Sequence, residues 1–212
     1  MRTSVMIMCL SKMGLGAGKN NTEGEDNVWM GYTAGHDSTT GDKNVGIGNC
    51  ALRKTTSGSD NTAVGTCALF CNTTGCQNTA SGYNALYCAT TGGNNTAIGR
   101  YSLTSSTTAS DNTAVGYRSL YANTTGTYNV GVGVSALAAN TTASNNTAVG
   151  YQALEENTTG TSNTAVGTNA LDAATTADSN TAVGRSALTA STTGNSNVAI
   201  GDYAMSAATT AD

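Results

Sequence analysis

The cysteines are the residues of this sequence most able to do chemistry, and four of the six recur at one fixed spacing. Cys50 and Cys67 are 17 residues apart, and so are Cys71 and Cys88. A chain that stacked with this period would bring the Cα atoms of each pair to about 4.8 Å, which a disulfide can bridge. The spacing predicts coil-to-coil disulfides in an oxidising, extracellular setting. The alternative is a column of free thiols, because side chains in register point the same way.

The other reactive residue types form no recognisable catalytic arrangement. His36, the only histidine, stands at a variable position, and a solvated side chain is the simpler interpretation. The run Gly14-x-Gly16-x-Gly18-Lys19 lacks the full phosphate-binding spacing and a preceding strand. Acidic residues are scattered and form no calcium-binding glycine–aspartate motif. We therefore expect no catalytic, cofactor or metal site, and no enzymatic activity.

The period of the cysteines belongs to a repeat that fills most of the chain. Asparagine recurs every 17 residues from Asn27 to Asn197, and glycine follows four residues later in all eleven copies. So short a unit cannot bury an apolar face alone, so it must stack on its neighbours. We predict an N-terminal segment with a degenerate capping coil over residues 1–26, and eleven repeats over 27–212. Asp212 ends in phase without a capping sequence, which suggests an edge open to stacking.

Comparison of the eleven copies predicts which columns face inward. We number the repeat from its asparagine, which is position 1. Position 4 is apolar in ten copies and position 9 is leucine in nine, so we assign both to the core. On this assignment Val115→Asp should disrupt the stack far more than a change at Arg118. Positions 6, 7, 10 and 11 vary and are predicted to face solvent, as at Tyr32, Tyr83, Tyr117, Tyr121 and Tyr151. The core residues predicted in this way are Val64, Leu69, Ile98, Leu103, Val115, Leu120, Val149, Leu154, Val166 and Leu171.

The composition of each unit favours strands over helices. Paired threonines, asparagine and glycine are costly inside a helix. Two short strands per unit fit better, one around positions 2 to 4 and one around positions 7 to 10. Coils that stack with their strands in register then give parallel sheets along a rod roughly 55 Å long. The recurring asparagine is either a turn residue alone or one that also bonds the copies above and below it. The predicted ladder residues are Asn61, Asn78, Asn95, Asn112, Asn129, Asn146, Asn163 and Asn180.

A threonine pair recurs late in the unit, from Thr39-Thr40 to Thr209-Thr210. Stacked in register, these pairs would form two files of threonine. Regular threonine arrays on β-solenoids are typical of ice-binding proteins. The simpler interpretation is that β-branched residues stabilise neighbouring strands, and adjacent residues on a strand point in opposite directions.

Charge and hydropathy limit the partners of the chain. The net charge is −4 and no basic cluster is present, which argues against nucleic-acid binding. No apolar run reaches the length that spans a bilayer, and the short apolar start at residues 5–10 favours a capping or assembly segment over a cleaved signal. Each coil buries little apolar area for 17 ordered residues, so we expect chains to associate around a shared axis.

Units such as Asn61-Thr-Ala-Val-Gly-Thr-Cys-Ala-Leu69 and Asn197-Val-Ala-Ile-Gly201 resemble the head repeats of trimeric autotransporter adhesins, and are similar to repeats of some phage tail fibres. The resemblance covers residues 27–212, although the period of 17 is longer than that of adhesin heads and cysteines are unusual in them. It implies a left-handed parallel β-roll, usually trimeric, that acts in adhesion. The sequence thus predicts an all-β solenoid and a structural or adhesive fibre on a cell surface, virion or extracellular filament. Expected partners are copies of itself, as a trimer or an end-to-end filament, and a surface receptor or glycan. Ice or glycan binding by the threonine files is the alternative function.

Overall fold

The computed structural model describes residues 11–209 as a β-solenoid with one strand in each 17-residue coil. The expectations placed on the apolar start, on Thr210 and on the end at Asp212 lie outside these residues. Within residues 11–209 all twelve strands are parallel and form one sheet in chain order. They are β1 Ser11–Met13, β2 Val28–Met30, β3 Val45–Ile47, β4 Thr62–Val64, β5 Thr79–Ser81, β6 Thr96–Ile98, β7 Thr113–Val115, β8 Val130–Val132, β9 Thr147–Val149, β10 Thr164–Val166, β11 Thr181–Val183 and β12 Val198–Ile200.

The register between neighbouring coils is the sequence period itself. Thr62 pairs with Thr79 and Ala63 with Ala80, and each other strand pair repeats this shift of 17 residues. The coil before the first clear repeat follows the same rule, because Ser11 pairs with Val28. Residues 11–26 therefore form a further coil of the solenoid, although their sequence matches the repeat poorly.

The prediction of a second strand at positions 7 to 10 was wrong. Position 7 and position 9 both adopt the left-handed conformation, as at Cys67 with φ of 56° and Leu69 with φ of 50°, and a strand cannot contain such residues. This segment still bonds its neighbours, because the Cys67 amide donates to Asn49 of the preceding coil and the Leu69 amide donates to Ala85 of the next. Successive turns, and not a second sheet, form the rest of the wall.

The core lies between the sheet and these turns, and it is made of small residues and leucine. Alanines at positions 3 and 8, such as Ala63 and Ala68, are fully buried. The predicted core leucines at position 9 are fully buried as well: Leu69, Leu103, Leu120, Leu154 and Leu171. One leucine and two alanines fill the cross-section of a coil.

The assignment of position 4 to the core was wrong. Alternate residues of a strand point to opposite faces, so the inward alanine at position 3 sends positions 2 and 4 outward. The exposed fraction of the residue is 39% for Val64 and 43% for Ile98, 36% for both Val149 and Val166, and intermediate for Val115. The larger apolar residue was taken as the interior one, but the narrow coil accepts only alanine or glycine beside leucine.

One coil breaks this rule, and its neighbours compensate. Trp29 occupies position 3 and is fully buried. A Cβ on Gly35, at position 9 of the same coil, would lie 2.3 Å from the indole, and one on Gly46 would lie 2.7 Å from it. Glycine therefore replaces leucine at position 35 because the indole already fills the space that leucine takes elsewhere.

Candidate functional site

The asparagines at position 1 form a continuous buried ladder. The Asn61 side-chain oxygen accepts from the Asn78 amide at 3.0 Å, and the Asn61 side-chain nitrogen donates to the Gly75 carbonyl at 2.8 Å. The same pattern links Asn78, Asn95, Asn112, Asn129, Asn146, Asn163 and Asn180 to their neighbours. Each side chain thus closes its own coil and also joins it to the next.

A second buried asparagine column occupies position 12, and the sequence analysis missed it. Asn140 donates to the side-chain oxygen of Asn123 at 2.9 Å, and Asn157 donates to that of Asn140 at 2.9 Å. The column ends where Ala174 follows, so the Asn157 side-chain oxygen is buried without a partner. The sequence does carry a signal of this column. Three positions before the glycine of the Thr-Thr-Gly turn the residue is always small or polar, and in several copies it is asparagine.

The four paired cysteines are neighbouring free thiols in the structure. Burial raises the pKa of the Cys67 thiol, and the adjacent Cys50 raises it further. Burial also raises the pKa of Cys88, with Cys71 adding to the effect. Cys50 and Cys67 share one backbone conformation, with φ of 57° and 56°, so their side chains point the same way. The disulfides stay a prediction.

The threonine pairs use their hydroxyls to join coils. The Thr73 hydroxyl donates to the Thr90 carbonyl at 3.0 Å, and the Thr90 hydroxyl donates to the Thr107 carbonyl at 3.1 Å. In the pairs from Thr39-Thr40 to Thr192-Thr193, the second threonine is exposed. The pairs therefore do not build a flat double file. The bonds between coils are made by the first threonine of a pair, as at Thr73 and Thr90.

The remaining reactive residues are occupied locally. His36 pairs with Asp37, with 2.6 Å between Nδ1 and Oδ1. The Gly18 amide donates to the Ala34 carbonyl, and the carbonyl of Gly18 accepts from Lys12, so this glycine-rich run is part of the coil. In residues 11–209 no group of three or more His, Cys, Asp or Glu side chains is arranged to hold a metal ion.

An uncharged face runs along the outside of the sheet. Positions 2 and 4 from Val28 to Ile200 hold valine, isoleucine, methionine, threonine and one serine, Ser81. Stacking of the eleven strands from β2 to β12 makes this surface about 48 Å long and roughly 10 Å wide. We call it the sheet face. Its area is on the order of 500 Å².

Aromatic and cationic residues cluster on another part of the wall, at positions 6, 7 and 10. The Tyr101 ring lies 5.4 Å from that of Tyr83 and 6.4 Å from those of Tyr117 and Tyr121, edge to face in each case. The Arg100 guanidinium lies 4.7 Å from the Tyr101 ring centroid. The sequence analysis singled out Tyr83, Tyr117 and Tyr121 but not the residues that join them, because only stacking brings positions 7 and 10 of successive coils together.

Comparisons with protein families, with curated proteins and with solved structures found no match to this chain. Residues 11–209 contain no helix with the length and hydrophobicity that a bilayer crossing requires.

Proposed function

We propose that this chain is a non-enzymatic structural and adhesive fibre protein of a cell surface, a virion or an extracellular filament, and that it assembles with copies of itself. The observation that carries the proposal is the sheet face, an uncharged surface that continues through every coil. Ile98 and Val166 on this face are 43% and 36% exposed. A single chain therefore leaves apolar residues partly uncovered, and a second chain could cover them.

The partner that fits this face best is a second copy of the chain. Two such faces would bury about 1,000 Å² in total, which is the lower limit for a specific interface. The 17-residue period gives both copies the same coil spacing, so a contact made at one coil recurs at every coil. Charged residues are depleted at the centre of protein interfaces, and positions 2 and 4 from Val28 to Ile200 carry none.

The fibre proposal is tested by imaging the purified full chain in negative stain. We expect laterally associated rods, as trimers or as longer filaments, with each chain contributing about 55 Å of length. Isolated thin rods at micromolar concentration would overturn the proposal.

Ice binding is the second candidate function, and the sheet face now supports it better than the threonine pairs do. Outward threonines at position 2, such as Thr96, Thr113 and Thr164, occur in seven of the eleven strands from β2 to β12, and these three lie beside valine or isoleucine. A thermal-hysteresis assay on the soluble rod separates the two functions. Strong activity would favour ice binding over the fibre, and none would remove this alternative.

A further inference from the structure

We infer that a cleft in the wall of the solenoid binds one ring of a neutral glycan. The cleft lies between Tyr121 on one side and Glu155 and Glu156 on the other, with Ala138 and Ala139 at its base and Arg118 at its rim. The inference rests on the proposed adhesive function and gives that function a ligand class.

The cleft exists because one coil carries alanine at both outward positions 10 and 11. The preceding coil has Tyr121 at position 10, and the following coil has Glu155 and Glu156 at positions 10 and 11. The walls therefore stand two coil spacings apart, about 9.6 Å. The cavity volume is about 310 Å³, at the lower end of the range for ligand pockets.

Each wall supplies a different part of sugar recognition. The negative face of a tyrosine ring attracts the polarised C–H groups of a pyranose, and the hydroxyl of the tyrosine remains free to hydrogen-bond. Tyr121 is held in place by the edge of Tyr101 at 6.4 Å and by the Arg118 guanidinium at 4.6 Å from its centroid. A preorganised ring loses little entropy when a ligand binds.

The glutamates are placed to accept hydroxyl hydrogen bonds. The Gln152 side-chain nitrogen donates to one Glu155 oxygen, which orients this carboxylate and leaves its other oxygen available. Bonds from hydroxyls to a carboxylate are stronger than neutral ones. Within residues 11–209 Arg118 has no carboxylate at salt-bridge distance, so its guanidinium can also donate to the ligand.

The charges of the cleft select the class of glycan. Two carboxylates and one guanidinium give it a net negative charge, and like charges repel. A sulfated or carboxylated sugar would meet Glu155 and Glu156 directly. A neutral hexose meets only hydrogen-bond acceptors and donors, so neutral glycans are the expected ligands.

The test is an array of neutral gluco-, manno- and galacto-oligosaccharides beside sialylated, uronate and sulfated ones, followed by calorimetric titration of the best neutral ligand into the full chain. We expect Tyr121→Ala and Glu156→Gln to weaken binding about tenfold or more, as for a central contact. Ala138→Tyr should do the same by filling the cleft. Tyrosine already occupies position 10 at Tyr87 and Tyr121, so this variant is compatible with the fold. Tyr32→Ala is the matched exposed control and should leave the affinity unchanged.

Binding to acidic glycans only, binding to no glycan, or equal affinity in the Ala138→Tyr variant would overturn the inference. Light scattering on the same samples reports assembly separately. Assembled rods that bind no neutral glycan refute the cleft alone, whereas a monomer that binds through Tyr121 refutes the assembly alone.

Discussion

Asn95→Ala should be among the most destabilising single substitutions in the ladder, because it leaves two buried backbone groups without partners. The Asn95 side chain donates to the Ala109 carbonyl at 2.8 Å and accepts from the Asn112 amide at 3.1 Å. Both residues are buried, and position 12 of that coil is Ser106, which does not donate to Ala109. An unpaired buried group costs about 1–3 kcal/mol, so the expected loss is about 2–6 kcal/mol.

The same substitution at Asn146 is the internal comparison. Its carbonyl partner, Gly160, also accepts from Asn157 at 3.0 Å, so only the Asn163 amide loses its partner. The expected loss is about half as large, roughly 1–3 kcal/mol. Asn49→Ala is the control, because Asn49 is exposed and surface substitutions change stability by at most about 0.5 kcal/mol.

The assay is urea unfolding followed by circular dichroism, with the four proteins compared at equal concentration. In a solenoid each coil contacts only its neighbours, so a break at Asn95 is also expected to split the transition into two steps. Equal midpoints for Asn95→Ala and Asn49→Ala would refute the ladder as a source of stability. Equal losses at Asn95 and Asn146 would refute the part of the reasoning that counts unpaired groups.

The second asparagine column, the position-5 glycines and Cys67 each give a further testable outcome. Ala174→Asn should raise the free energy of unfolding by about 1 kcal/mol by giving the Asn157 oxygen a donor, whereas Ala174→Leu, similar in size but without the amide, should lower it in the same urea titration. Gly82→Ala should cost at least about 2 kcal/mol more than Gly201→Ala. Both glycines have φ near 130–140°, but the new Cβ would lie 2.6 Å from a carbonyl oxygen of the next coil only at Gly82, and thermal melting compares them. Because burial and Cys50 raise the pKa of the Cys67 thiol, less of it is thiolate at pH 8 than in free cysteine, so iodoacetamide should modify it more slowly, with the rate rising only above the ordinary thiol range. Peptide mapping measures this rate without reductant, and it detects any disulfide to Cys50.

The repeat determined the coil length, the register and the asparagine ladder, because each depends only on residues 17 positions apart. It did not determine which side of the strand faces inward. Val64 is larger and more apolar than Ala63, and only the narrow cross-section of the coil reverses the usual expectation. The wrong prediction of a second strand has a similar cause. Leu69 has a left-handed backbone, but leucine is not a residue type that indicates this conformation, so the sequence gives no sign of it.

The candidate sites were less predictable than the fold. A sequence shows that Ala138 and Ala139 are small, but the cleft arises only when larger residues stand in the same columns one coil away on each side. The Tyr101 and Arg118 contacts likewise join positions that are distant within one unit. The residues in the outward columns vary independently from coil to coil. The chemistry of a surface site therefore depends on residues of adjacent coils, which one repeat unit read alone does not show.

The correction at position 4 also changes what Val115→Asp is expected to do. An aspartate on the sheet face remains solvated in the single chain, and Ser81 shows that a polar residue fits this column. The coil should therefore stay folded, and the damage should fall on association between chains. Circular dichroism close to that of the unmodified protein would agree with the outward position, whereas loss of folded structure would contradict it.

Light scattering of the Val149→Asp/Val166→Asp double variant tests self-association through the sheet face most directly. Tyr128→Asp is the control, because Tyr128 is 62% exposed, lies outside the face and stands where other coils carry Asp60 and Asp111. We expect the unmodified chain and the control to have a mass that is a multiple of 21.2 kDa, and the double variant to be a folded monomer. A monomeric unmodified chain, or a double variant that assembles like the control, would contradict the account.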